Sequence, residues 1–392
     1  LDAHCRPVVP FIPGQLIPLF IIHPPHTMWG PGFLLKERWE LTHQIGHGSF
    51  STVWQAKDRT NNQLVAVKNL RVGSQLETSK RALREIEMLK HFRGRENILQ
   101  ILDVVIIPGV STEVEEICIV TELMDFDLHY LVAQQKKMDG EQIKLIMYQI
   151  LCGVQEMHAA HTLHRDLKPK NILVNRDLTA KICDLGMGRG KVTTGSMLKM
   201  TMISRVATAS YRAPDGILNI AATSGEVSSP QDSSSSGANY TTAVDVWALG
   251  CIMAEMMTCQ PLFTCKENSA LLTAYVDLLG CPAPEVLDRI PPSHALTHLR
   301  SVMELRQGHS GRLSELFSKD DADALDLCSK LLKFDPLDRI TIENALNHPY
   351  FDDYDLVEYP NIEQFVDPTD DPSMSLAACT DLILRAALEM SL

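Results

Sequence analysis

The stretch His164-Arg165-Asp166-Leu167-Lys168-Pro169-Lys170-Asn171 sets three chemically useful side chains within one tight turn. Asp166 is a carboxylate able to accept the proton of an incoming hydroxyl. Lys168 places a cation two residues on. Asn171 offers an amide oxygen, a hard donor of the kind that a magnesium ion on a phosphate takes. Pro169 fixes φ between them and stiffens the turn. Further on, Asp184-Leu185-Gly186 supplies a second acid beside a glycine. Upstream, Ile45-Gly46-His47-Gly48-Ser49-Phe50-Ser51-Thr52-Val53 is glycine-spaced, and glycine lets a backbone come close to phosphate. Alone, that stretch reads as a β-hairpin turn, and Lys68 alone reads as a solvated strand lysine.

Such residues need elements to hold them. Val65-Ala66-Val67 alternates as a half-buried strand does and ends in Lys68. Leu83, Ile86 and Leu89 recur at helical spacing and predict a helix from about Glu77 to Lys90, carrying Glu85 and Glu87. Ile117 to Thr121 is a β-branched strand running into Glu122-Leu123-Met124-Asp125. Ile143, Ile146, Met147, Ile150, Leu151, Val154 and Met157 predict a core-packed helix over residues 141–160. Ile172-Leu173-Val174 and Ala180-Lys181-Ile182-Cys183 predict a short hairpin that presents Asp184. Residues 244–257 are apolar nearly all round apart from Asp245 and Glu255, which marks a buried helix. Residues 378–391 suit a terminal amphipathic helix with no role assigned. His158, His161 and His164 form an H-x-x-H-x-x-H pattern. A zinc site there needs a further ligand cluster, which the neighbouring sequence lacks, so His158 and His161 are read as capping a helix end.

In their order and spacing these motifs resemble those of the eukaryotic protein kinases. His164–Asn171 matches H-R-D-L-x-x-x-N, and Asp184-Leu185-Gly186 matches D-F-G with Leu for Phe. Gly46 to Val53 matches G-x-G-x-x-G-x-V with Ser51 for the third glycine, and Val65-Ala66-Val67-Lys68 matches V-A-I-K. Val206 to Asp215 resembles the substrate-docking loop V-A-T-R-W-Y-R-A-P-E. Residues Leu331 to Thr341 and Ala345 to Phe351 resemble the end of the mitogen-activated protein kinase domain. Asp367-Pro368-Thr369-Asp370-Asp371-Pro372 resembles that family's acidic docking patch, although on composition it reads equally as a solvated linker.

The resemblance implies an α+β, two-lobed protein kinase fold: a small β-rich lobe with one helix, a larger mainly α-helical lobe, and ATP between them. The domain then runs over 39–351, with the small lobe at about 39–121, a hinge at about 122–126 and the large lobe at about 127–351. It implies an ATP- and magnesium-dependent serine/threonine kinase of mitogen-activated type. Residues Ile45 to Val53 cover the phosphates, and Lys68, held by Glu85, orients them. The hinge backbone around Met124 reads the adenine, Thr121 lines the back of that pocket, and Asp127 either meets the ribose or caps a helix. Asn171 and Asp184 hold magnesium, Asp166 accepts the hydroxyl proton, and Lys168 stabilises charge on the transferred group. Asp245 anchors the catalytic-loop backbone. Protein substrates, an upstream activating kinase and docking-motif partners follow, with the chain a monomer.

Four departures bear on regulation. Ile203-Ser204-Arg205 occupies the Thr-x-Tyr slot, so dual phosphorylation is excluded there, and Thr201 or Ser204 is left as a single phosphosite facing Arg165. Ala209 and Ser210 replace the Arg and Trp of the docking loop, which leaves the preference for proline open. Asp215 replaces Glu in A-P-E, and its shorter side chain leaves an ion pair to Arg339 strained or lost. The missing third glycine and the altered loop also fit an alternative, a kinase fold without turnover that serves as a scaffold.

Composition bounds the rest. With 392 residues, 45% hydrophobic and 22% charged, the chain is globular and long enough for two lobes. A net charge of −13 gives no general attraction to nucleic acid or anionic lipid. The 10 cysteines are scattered and read as free thiols. No apolar run is long enough to span a membrane, and no Lys or Arg cluster precedes Phe11–Ile22 to make it a signal peptide. A cytoplasmic or nuclear location is expected. The chain begins at Leu1, and residues 1–38 read as an irregular, Pro-rich leader. Residues 219–240, with serines in a row from Ser233 to Ser236, read as a disordered insertion, and 352–392 as a C-terminal extension.

Overall fold

Alternating burial builds the smaller part of the molecule. A computed structural model describes residues 29–48, 51–73, 75–108, 114–134, 138–190, 209–218, 242–318, 321–354 and 362–391. The stretch 191–208 with Thr201 and Ser204, the insertion 219–240, and Ser49 and Phe50 lie outside the described residues. The chain divides into two units. The small unit takes the described parts of Leu1–Gly94, Gln100–Leu123 and Pro368–Leu392; the large unit takes Arg95–Leu99 and Met124–Asp367.

In the small unit the strands are β1 (Leu34–Leu35), β2 (Trp39–His47), β3 (Ser51–Asp58), β4 (Leu64–Arg71), β5 (Ile101–Pro108) and β6 (Val114–Glu122), with helix α1 (Leu76–His91) between β4 and β5. They form one antiparallel sheet in the order β1-β2-β3-β4-β6-β5. Trp39, Leu41, Trp54, Val65, Val67 and Val120 bury one face. Trp29 and Phe33 pack against that cluster, and the Trp29 indole donates to Glu116 Oε2 at 2.9 Å. Within residues 29–38, expected to be part of an irregular leader, Leu34 and Leu35 therefore form an edge strand, and Trp29 and Phe33 cover the core of the sheet. Proline excludes a helix there, but it does not exclude a short edge strand whose neighbours have aromatic side chains to bury.

The large unit opens with β7 (Phe126–Asp127), α2 (Leu128–Ala133) and α3 (Gly140–Ala159). Asp139 and Gln142 close a capping box on α3, satisfying donors that the first turn leaves over. Next come β8 (Thr162–Leu163), β9 (Ile172–Val174), β10 (Ala180–Ile182) and β11 (Arg189–Gly190). They pair as two small sheets, β10-β9-β7 and β11-β8. Helices α4 (Pro214–Leu218), α5 (Ala243–Thr258), α6 (Asn268–Leu279), α7 (Pro284–Leu287), α8 (His294–Leu305), α9 (Ala322–Leu331) and α10 (Ile342–Leu346) follow. Helix α5 is buried from Ala243 to Met256, as its uniformly apolar sequence requires.

The last helix, α11 (Leu376–Glu389), returns to the small unit and lies against α1 and β5. Its buried face is Cys379, Ile383, Ala386 and Ala387. The nine cysteines among the described residues are free thiols.

Candidate active site

The small unit contributes a lysine and its carboxylate partner. In β4, Val65 and Val67 face the core, so the pleat turns Lys68 to the opposite side of the sheet. There Lys68 Nζ donates to Glu85 Oε1 at 2.7 Å. Glu85 sits on α1 and is 5% exposed. Glu87, the other acid on that helix, faces outward and pairs with Lys90 at 3.1 Å. The register sets Val53 opposite Lys68, Gly46 opposite Val53 and His47 opposite Thr52. The Gly48 N–H donates to the Ser51 carbonyl at 2.7 Å, and a Cβ on Gly48 would come within 3.0 Å of Ser51 Oγ. Ile45 is 45% exposed. Thr121 is buried, and its hydroxyl donates to the Glu122 carbonyl at 3.1 Å.

The large unit contributes the loop from His164 to Asn171, and a buried acid holds it. Asp245 on α5 accepts the His164 N–H at 2.9 Å, the Arg165 N–H at 2.8 Å and His158 Nε2 at 3.0 Å. Burial opposes its charge, but the His158 bond and the backbone donors win and hold its carboxyl below the usual carboxylate range. The anchoring role expected of Asp245 is matched by this geometry. His158 was read as a helix cap, and the structure corrects that: the last turn of α3 aims its ring at Asp245. His164 accepts the Asp166 N–H on Nδ1 at 3.2 Å, so Nε2 carries the proton donated to the Cys183 carbonyl at 3.0 Å. Two of the three histidines are thus committed to hydrogen bonds.

Around Asp166 the side chains converge. Lys168 Nζ lies 2.5 Å from Asp166 Oδ2. Asn171 Nδ2 donates to the Asp166 carbonyl at 2.8 Å and to Asp166 Oδ2 at 3.3 Å. With its NH₂ group so directed, the Asn171 amide oxygen is the end left for a cation. The Cys183 N–H donates to the Asn171 carbonyl at 2.9 Å, which ties the strand bearing Asp184 to this loop. An amide oxygen and the Asp184 carboxylate are hard donors, and that donor chemistry fits magnesium. Arg165 and Asp184 both adopt left-handed backbone, with φ of 67° and 61°. Side chains pay a steric cost there, and surrounding structure must hold it.

Other expected positions are less open than the sequence suggested. Met124 is buried. Asp127 accepts the Tyr130 N–H at 2.6 Å and so takes up the capping role on α2. In the acidic patch, Asp367 and Thr369 are buried, and Asp371 bonds Ser373. Asp215 and Arg339 form a buried ion pair, so of the two outcomes expected for the shorter acid, a strained or a lost pair, the pair is not lost. Arg339 is fixed at the right distance by the carbonyls of Ala243 and Lys333, at 2.9 and 2.8 Å, and by the face of Trp247. Beside it, Tyr211 donates to Glu255 Oε2 at 2.6 Å. Burial pushes both the Tyr211 hydroxyl and the Glu255 carboxyl up. Sequence reasoning noticed Glu255 and His158 but not their partners, Tyr211 and Asp245, because each partner lies far off in the sequence.

Comparison with known proteins bears on all of this. Residues 39–351 match the protein kinase domain family. The chain is 34% identical over 350 residues to Extracellular signal-regulated kinase 1 of Dictyostelium discoideum, covering 88% of this chain and 59% of that protein. It is 33% identical over 357 residues to Mitogen-activated protein kinase MKC1 of Candida albicans, covering 86% and 67% of the two chains. It is 36% identical over 319 residues to Mitogen-activated protein kinase spm1 of Cytospora mali, covering 81% and 71%. The chain thus spans about three-fifths of the length of the Dictyostelium relative.

Proposed function

The chain belongs to the mitogen-activated protein kinases, and from that premise we propose that it transfers the γ-phosphoryl group of ATP to serine and threonine hydroxyls of proteins. The observation that carries this reading is the cluster in which Lys168 and Asn171 both bond the Asp166 side chain while Asp245 fixes the backbone beneath it.

Each residue then has one task. Asp166 accepts the proton of the substrate hydroxyl as its oxygen attacks the γ-phosphorus, and the bond from that phosphorus to the bridging oxygen breaks to leave ADP. Lys168 offsets charge on the transferred group. Lys68, steadied by Glu85, pairs with the α- and β-phosphates. Residues Ile45 to Val53 cover the phosphates, and the backbone at Met124 reads the adenine edge. Asn171 and Asp184 are the residues to hold magnesium, which when bound neutralises charge on the phosphate oxygens. Most of the rate acceleration is positioning and electrostatics. Protein substrates, an upstream activating kinase and docking-motif partners belong to the same reading. Among the described residues no helix is long and apolar enough to cross a membrane.

Phosphoamino-acid analysis tests the acceptor and the metal together. The chain is incubated with γ-labelled ATP and a generic basic protein, with magnesium or with a chelator. Label on serine and threonine that disappears with the chelator is the expected result. Label confined to tyrosine, or indifferent to the chelator, contradicts the proposal.

A further inference from the structure

Residues 209–212 belong to the stretch that resembles a substrate-docking loop, and they bury little of themselves. Ala209, Ser210 and Tyr211 form one turn of 3₁₀ helix, and none of the three is buried. A segment with no buried side chain gains little from apolar packing, so directed hydrogen bonds must fix its place. Ala209 and Ser210 are also too small to wedge the loop against its neighbours. Its hold has to come from the helices beside it.

Three side chains supply that hold. Tyr211 reaches α5, where its hydroxyl donates to Glu255 Oε2 at 2.6 Å. Arg212 is gripped twice by α6. Its carbonyl accepts the Tyr275 hydroxyl at 2.6 Å, and its Nη1 donates to Asn268 Oδ1 at 2.7 Å. Asn268 opens α6, about two turns before Tyr275, so both grips sit on one helix. Tyr275 is buried, and its ring stands edge-on to Phe263 and Trp247, with centroids 4.7 and 5.1 Å away. Those two neighbours fix the ring's orientation, so the hydroxyl is presented at a set point. Burial pushes that hydroxyl's pKa well up, which keeps the proton that the bond requires. A phenylalanine would fill the same space, so what the hydroxyl adds is the bond to the loop.

We propose that Tyr275 is a positioning residue for protein substrates: through the Arg212 carbonyl, and with Asn268 on the Arg212 side chain, it fixes the loop against which a substrate lies as its hydroxyl meets Asp166. This rests on the phosphotransfer reading above and on residues 206–215 as that loop. None of the bonded residues is one assigned to ATP, so the protein and the nucleotide should respond separately.

The test uses the full chain as wild type, Tyr275→Phe and Asn268→Ala. Steady-state kinetics give the KM for a generic basic protein and for ATP, and hydrogen–deuterium exchange is followed over residues 209–218. Losing one hydrogen bond of this kind corresponds to about a three- to tenfold change. Tyr275→Phe is therefore expected to raise the KM for the protein by that factor, to leave the KM for ATP within about twofold, and to speed exchange in 209–218. Asn268 is exposed and alanine is a good helix former, so Asn268→Ala keeps α6 intact. It should shift the same KM and the same exchange in the same direction, which keeps the proposal decidable should Tyr275→Phe fold poorly. A protein KM unchanged in both variants overturns the proposal, as does a rise in the KM for ATP by the same factor. A wild type that transfers no phosphate removes the phosphotransfer reading, and exchange in 209–218 then decides whether Tyr275 and Asn268 hold the loop.

Discussion

Three donors converge on Asp245, which touches no substrate in the proposed reaction. Asparagine in its place keeps one acceptor but turns an NH₂ group toward a backbone N–H. We predict that Asp245→Asn lowers kcat by on the order of a hundredfold with little change in the KM for ATP, the pattern expected when positioning of the reacting group is lost. Steady-state kinetics check this, and a rise in KM alone would argue against it. The buried pair of Asp215 and Arg339 makes an opposite kind of prediction. Asp215→Glu, which lengthens the acid to the form usual in the family, should not stabilise the protein, because carbonyls already fix Arg339 where the shorter side chain reaches it. Asp215→Ala should cost about 3–5 kcal/mol, since it leaves a buried charge unpaired. Denaturant melts of the two variants decide both. At this scale the loop from His164 to Asn171 stood out by its likeness to a kinase motif, and the roles of its residues follow from that resemblance. Sequence leaves the fate of the Asp215 pair open, because a side-chain length says nothing about how far its partner's backbone has been brought.

Single positions show how closely the helices must pack. A Cβ added at Gly250 in α5 would come within 2.7 Å of Leu332 Cγ and 3.0 Å of Leu331 Cβ. Alanine favours a helix over glycine by about 1 kcal/mol, but overpacking costs about 1–3 kcal/mol. We therefore predict that Gly250→Ala is net destabilising, whereas Gly140→Ala, with nothing within 4 Å, is neutral or slightly stabilising. Thermal unfolding separates the two, and equal midpoints would mean that α5 has room to shift. Periodicity foretold α1 and α3, and a nearly unbroken apolar run foretold α5, each to within a residue or two at each end. Periodicity also foretold α11, but not its destination: an apolar face states that a helix is covered, not by what. Residues 29–38 went unrecognised for a related reason, since a two-residue edge strand has too short a period to detect.

Across the whole molecule, motif order revealed the two-unit design, while the return of residues 368–391 to the small unit left no trace in any one motif. Acidity also acts at this scale. Asp58 bonds Arg38 at 2.7 and 3.1 Å within the small unit, and the Arg38 hydrogen bond lowers its carboxyl to about 2. A carboxyl lowered on folding stabilises the folded state fully above its unfolded pKa, about 4 for Asp. That contribution fades as pH falls from about 4 toward 2. Asp58→Asn should therefore lower the unfolding midpoint at pH 7 and flatten its decline over that acid range. An unchanged slope would show that the pair contributes nothing.

The most direct test of the phosphotransfer account compares wild type with Asp166→Asn, measuring affinity for magnesium–ATP and turnover on a generic basic protein in the same preparations. Equal affinity within about twofold and a loss of turnover of at least about a thousandfold are expected. Turnover retained in Asp166→Asn would contradict the phosphotransfer account, because no other described carboxylate bonds both Lys168 and Asn171.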